Sequence, residues 1–170
     1  MEDLKTLVER AKKLGATDAK PIRTDVVAVR NWVRLKCRYG CGGYGKRFTC
    51  PPYSPTPDET RKVVQEYTWG VLSMFKGFPR ISIHKFAFEM ERTAFLMGYH
   101  AAFAFASGPC DLCTECNIKE GFCRHPRMAR PAMEACGIDV FTTARNAGFP
   151  IKVVTSREET PTFYSLLLVV

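Results

Sequence analysis

Residues 101–126 read AAFAFASGPCDLCTECNIKEGFCRHP, a short apolar run that breaks at Gly108-Pro109 and enters a segment carrying four cysteines. Ala101 to Ala106 suits a buried strand, and the stretch beyond it reads as irregular backbone. Cys110, Cys113 and Cys116 stand two residues apart and can grip three corners of an iron–sulfur cube, while Cys123 can close the fourth. The bacterial ferredoxin run is C-x2-C-x2-C-x3-C-P; here the last gap widens to six residues and Pro126 follows three further on. A strand that delivers the chain into a ligand loop sets the expectation for the whole fold, since functional loops collect where strands leave a sheet.

Upstream, Leu4, Leu7, Val8, Ala11 and Leu14 share one helical face, and Gly15 stands where a left-handed cap would fall, so a docking helix is expected over 3–14. Asp25 to Val29 reads as a strand leading to the first cysteines. Thr56-Pro57-Asp58-Glu59 is a capping box with proline at the first helical position, which predicts a helix to about Tyr67. A strand at Trp69–Phe75 and a long helix from Ile81 to about Gly98 follow. Downstream the pattern predicts a short helix at Met133–Cys136, a helix over about Asp139–Ala147, and adjacent closing strands at 151–155 and 162–169. The sum is an α+β or α/β fold, a single domain over 1–170, with a mixed sheet of about five strands packed with about five helices and two cysteine-rich metal loops.

The first cysteine group, CRYGCGGYGKRFTCPP, places Cys37, Cys41 and Cys50 among glycines that let backbone wrap a metal and turn amide N–H groups toward sulfur. It supplies three thiols. Either a distant residue such as Cys136, a histidine or a cysteine of the other group completes the site, or one iron stays open to a substrate as a Lewis acid. In two-cluster ferredoxins the fourth cysteine of a run ligates the other cluster, so a crossover of Cys123 is a further option. Zinc competes at both groups, although its usual pattern pairs two C-x2-C knuckles across a longer gap. Cys136 reads as a buried structural thiol, and His84 and His100 as packed or solvent-facing imidazoles. His125 adjoins the cluster run. Tyr39, Tyr44 and Tyr53 flank the first group as lids, and Trp69 reads as core.

The chain of 170 residues carries a formal charge of +8 and eight cysteines. That many cysteines without a secretory signature argue for metal ligation over disulfides, and the expected compartment is the cytoplasm. No stretch approaches the roughly 20 apolar residues of a membrane span, so no membrane partner is expected. Four thiolates around a cluster core leave a charge of about −2, so two such sites would remove roughly four units of the basic excess. The basic residues are spread along the chain and no nucleic-acid reader motif is present. Asp58, Glu59, Glu89, Glu91, Glu158 and Glu159 have capping or surface explanations.

Through TCPPYSPTPDETRKVVQEY, with its Cys-Pro-Pro motif, and GPCDLCTECNIKEGFCRHPRMARPAMEACGIDVFTTARNAG, with its C-x2-C-x2-C loop, the chain resembles a prokaryotic family of predicted metal-binding proteins found in anaerobic bacteria and methanogenic archaea. The resemblance spans nearly the whole chain. It implies cysteine-bound metal, iron–sulfur in particular, with Cys37, Cys41, Cys50, Cys110, Cys113, Cys116 and Cys123 as ligands. The functional expectation is a small iron–sulfur protein with one or two [4Fe-4S] clusters that passes electrons in anaerobic metabolism, with a redox partner protein or a small-molecule substrate. An enzyme with an open iron at the first group, for sulfur transfer, desulfuration or dehydration, is the alternative. A zinc-stabilised module that holds nucleic acid is the other.

Overall fold

A helix with one apolar stripe needs a surface to cover, and α1 (Glu2–Lys13) buries Leu4, Leu7 and Ala11 in the core. Gly15, at φ +107°, ends it: the Ala16 N–H reaches the Ala11 carbonyl at 3.1 Å and the Gly15 N–H reaches that of Lys12 at 3.0 Å. In the computed structural model, which describes residues 2–170, the chain continues through β1 (Asp18–Arg23), α2 (Asn31–Gly40), α3 (Pro57–Gln65), β2 (Trp69–Lys76), α4 (Ile83–Leu96), β3 (Phe103–Phe105), α5 (Val140–Asn146) and β4 (Thr162–Leu168). The architecture is α+β. Among the described residues no helix is long and apolar enough to cross a membrane.

The strands lie in the order β1-β2-β4-β3, and every neighbouring pair is antiparallel. Successive side chains of a strand face opposite ways, so the central strands feed two cores. Val71, Phe75 and Leu167 join Phe86, Met90 and α1 on one side; Leu72, Tyr164, Leu166 and Leu168 join Met133, Ile138 and Phe149 on the other. The capping box at Thr56 forms as expected, with the Thr56 hydroxyl accepting from the Glu59 N–H and the Glu59 carboxylate accepting from the Thr56 N–H.

Four expectations need correction. The sheet has four strands, all antiparallel, in place of a mixed sheet of about five. Residues 151–155 form no strand, because β4 is already paired on both edges and offers this exposed segment nothing to bond. The predicted strand at 25–29 is a 3₁₀ turn, Thr24–Val26, followed by extended chain with one bridge from Val29 to Ile138. The strand lies earlier, in Asp18–Arg23, where Pro21 is tolerated because β1 is an edge strand. Finally, α2 replaces a loop. Of its side chains only Val33 is buried, so no apolar stripe announces it, and Arg34 pins it by donating to the carbonyls of Pro55 at 2.7 Å and Ala135 at 2.9 Å.

The segment between β3 and α5 is held at its two ends. The Ala106 N–H donates to the Pro131 carbonyl at 2.9 Å and the Met133 N–H to the Ala106 carbonyl at 3.0 Å, closing residues 107–131 into a loop. Two side chains of α4 grip the same ends. His84 is buried with Nδ1 3.0 Å from the Arg130 carbonyl and Nε2 3.2 Å from that of Gly108. Glu91 binds Arg130 through both carboxylate oxygens, at 2.7 Å to Nε and 2.5 Å to Nη2, and also accepts from the Ala104 N–H at 2.9 Å.

Burial lowers the His84 pKa from its ordinary value of 6.5. The unfolded chain therefore takes up a proton that the folded one refuses, and stability should fall as pH is lowered through 6.5. Urea midpoints of the metal-free protein measured from pH 7 downward test this, and His84→Gln should flatten the slope just below pH 6.5. Gly137 gives a second expectation. It sits at φ +84°, and an added Cβ would lie 2.6 Å from Cγ of Pro57. Gly137→Ala should cost about 2 kcal/mol or more in the same unfolding measurement.

Candidate metal centre

Cys110, Cys113, Cys116 and Cys123 all line one small cavity. Gly108 and Gly121 turn the chain with positive φ, and the 3₁₀ turn Ile118–Glu120 carries it from the third cysteine toward the fourth. Phe48, Leu112 and Ala129 supply apolar wall, and Arg47, Arg124 and His125 supply polar wall. Arg124 is fixed across the loop, donating to the Glu115 carbonyl at 3.1 Å and to Oδ1 of Asn117 at 3.0 Å. Cys123 lines the same cavity as the rest of its run. The enclosed free space is about 20 Å³. Among the described residues no group of three or more His, Cys, Asp or Glu side chains is gathered closely enough to hold a metal ion. The thiols crowd one cavity without converging on a point.

The first group is built differently. Cys37 projects from the last turn of α2 and is half-buried, Cys41 caps that helix and is exposed, and Cys50 is buried at the end of a chain of turns. The expectation of two metal loops is therefore corrected here, since this group starts on a helix. The Gly43 N–H points to Sγ of Cys41 at 3.4 Å, as the glycine-rich spacing suggests. Cys37 and Cys41 line a second cavity of about 350 Å³, bounded by Trp32, Val33, Glu134, Phe141, Ile151 and Phe163 among others.

The two groups adjoin. Arg47, six residues after Cys41, donates from Nε to the carbonyl of Cys110 at 2.9 Å and lines the cavity of the second group. Cys50 lies at the junction. Burial raises its pKa, against a hydrogen bond from the Thr49 side chain and the pull of Arg47, and the thiols of Cys41 and Cys116 push it further. Burial likewise raises Cys37, helped by Cys41, Glu134 and Cys50 and opposed by Arg34, and it raises Cys110 together with Asp111, Cys123 and Cys113. A cation offsets this mutual repulsion of thiolates, which is why such sites bind metal and release protons together. Cys136 is different. It is buried in the core, and burial pushes its thiol to about 12, so it stays a protonated packing group.

Several other placements differ from the sequence reading. Tyr39 is 77% exposed and covers nothing, and Tyr53 is 49% exposed; the aromatic wall near the second group is Phe48, whose ring lies 5.4 Å from that of Tyr53. His100 faces solvent and His84 positions the loop. The sequence reading did not single out Thr49 or Glu134. Thr49, in the wall of the second group's cavity, has its hydroxyl against the Cys50 thiol, and Oε2 of Glu134, in the wall of the first group's cavity, is shielded from solvent. The donor chemistry of the thiols fits bound metal at each group.

Four thiols on one loop, with three more beside them on an α+β frame, define a cysteine-rich metal-binding protein. The chain belongs to the family described as predicted metal-binding protein (DUF2284), whose model matches residues 20–169. No curated protein and no solved structure matches it.

If Arg47 couples the two groups, Arg47→Ala should weaken metal retention at the second group, read as metal released to a chelator at least several times faster than from the unaltered protein, because the removed guanidinium both ties the Cys110 backbone and offsets thiolate charge. Unchanged release would show that the contact carries no such role.

Proposed function

We propose that the protein is an iron–sulfur redox protein that holds a [4Fe-4S] cluster on Cys110, Cys113, Cys116 and Cys123 and a second metal centre on Cys37, Cys41 and Cys50, with electrons passing between the two. The observation that carries this reading is the position of Cys50, whose thiol interacts with Cys41 of its own group and Cys116 of the other. With Cys50 near thiols of both groups, centres held there would be close enough to exchange electrons.

The choice of iron–sulfur over zinc rests on the spacing of the thiols along the loop. A single zinc ion draws four thiolates to about 2.3 Å from one point. A cube instead takes one thiolate at each corner iron, so its ligands ring a volume. The second group follows the cube-type run Cys110-x2-Cys113-x2-Cys116 with Cys123 beyond it, and not the two paired C-x2-C knuckles usual for zinc. Bound there, a cluster supplies a one-electron store. The protein's own residues set its surroundings: Phe48, Leu112 and Ala129 keep water off, and Arg47 and Arg124 offset negative charge. A redox partner protein delivers or collects the electron.

A second reading is favoured by one observation, the cavity of about 350 Å³ beside Cys37 and Cys41. Its walls are mainly apolar, and a small molecule held there would meet the first centre directly. In that reading the second group feeds electrons to a catalytic first group.

Anaerobic purification followed by iron, sulfide and zinc analysis tests the proposal. Iron and acid-labile sulfide should be present in equal amounts, at about four to eight of each per chain, and Cys110→Ser with Cys113→Ser should remove about four of each. A colourless protein holding only zinc would overturn it.

A further inference from the structure

Helix α2 turns an apolar face outward. Trp32, Leu35 and Tyr39 are 48%, 56% and 77% exposed, and residues at that spacing fall on one side of a helix. The other side holds Val33, which is buried, and Cys37, which is half-buried. With about 3.6 residues per turn, Lys36 and Arg38 flank the apolar stripe to either side, and both are exposed. The Arg38 guanidinium lies 5.5 Å from the centroid of the Tyr39 ring. Aromatic and aliphatic side chains edged with charge are the make-up of an interface core and its rim.

The charge around this face says what covers it. Residues 26–57 hold six Lys and Arg and no Asp or Glu. Arg34 is spent on the carbonyls of Pro55 and Ala135 and Arg47 on that of Cys110, whereas Arg30, Lys36, Arg38 and Lys46 are exposed and form no ion pair among the described residues. The acids around the helix leave these charges unanswered. Asp139 is buried and caps α5, Oε2 of Glu134 is shielded in the cavity wall, and Asp58, tied to the start of α2 through Arg61 and Asn31, is paired with that Arg61. A second copy of this chain would set like charges against like. Nucleic acid suits the charge, but Leu35 in the middle of the stripe offers no ring on which a base could stack. An acidic protein with an apolar centre to its contact surface matches both properties.

We propose that the outward face of α2 is the docking surface for an acidic electron-carrier protein, with Trp32, Leu35 and Tyr39 at the centre of the contact and Arg30, Lys36 and Arg38 steering the approach. The inference rests on the reading of the chain as a redox protein. The same helix carries Cys37 and ends at Cys41, so a partner seated on α2 is separated from the first thiol group by one helix. The reduced carrier gives up one electron and is oxidised, and the metal centre takes that electron and is reduced. Ten residues of helix span about 15 Å, which suits the small contacts of brief electron-transfer encounters.

Titration of the anaerobically purified holoprotein with an acidic [2Fe-2S] ferredoxin, at low and at physiological salt, tests this. Trp32→Ala with Leu35→Ala should weaken binding at least about tenfold. Lys36→Glu with Arg38→Glu should weaken it as much at low salt and flatten its salt dependence, while Lys5→Glu with Lys13→Glu on α1, the same change in net charge on the helix that covers the opposite core, should leave it within about twofold. A metal content equal to that of the unaltered protein shows that each variant has folded. Absence of ferredoxin binding, or binding unmoved by either α2 variant, would overturn the docking surface. Tighter binding of a single-stranded DNA oligonucleotide, lost in the same variants, would overturn it in favour of nucleic acid. Failure of the redox reading looks different: ferredoxin then binds and the α2 variants weaken it, so the surface stands, but reduced ferredoxin keeps its electron in the presence of the holoprotein.

Discussion

The metal-bearing end of this protein depends on the grip that α4 keeps on both ends of the 107–131 loop. The loop contains one 3₁₀ turn and no strand, so its own backbone bonds do little to define its shape. The Ala106 and Met133 hydrogen bonds set its neck, His84 touches the carbonyl of Gly108 at the start and of Arg130 at the end, and Glu91 holds Arg130 while capping the free edge of β3 at Ala104. Thiols on a loop with fixed ends keep their spacing when metal leaves. A loop free at one end would not. The sheet contributes by making α4 immobile, since Phe86, Ala87, Met90 and Ala94 are locked into one of its two cores.

Electrostatics explains why the same end holds metal. Three buried or half-buried thiols have raised pKa values because burial and neighbouring sulfur both oppose the thiolate. Arginine answers only part of this repulsion. Arg47 and Arg124 stand in the wall of the second site, whereas Arg130, near it in sequence, is committed to Glu91.

The sequence made the loop legible because four cysteines in fourteen residues have few other uses, and it made α1, α3, α4, α5, β2 and β4 legible because their apolar periods or caps are strong. It hid α2, whose Trp32, Leu35 and Tyr39 face outward and blur the period. It hid β1, whose DAKPIR carries a proline acceptable only on an edge. The grip of His84 was invisible for another reason: its partners are backbone carbonyls 24 and 46 residues away, and carbonyls have no sequence signature.

The central claim is that two metal centres lie side by side, with Cys50 near the thiols of both. Electron paramagnetic resonance of the fully reduced protein tests it most directly. Two reduced clusters that close should give signals broadened or split by spin–spin interaction, and Cys37→Ser with Cys41→Ser should collapse them to one simple signal from the cluster on Cys110, Cys113, Cys116 and Cys123. A single unsplit signal in the unaltered protein, indifferent to those substitutions, would contradict it.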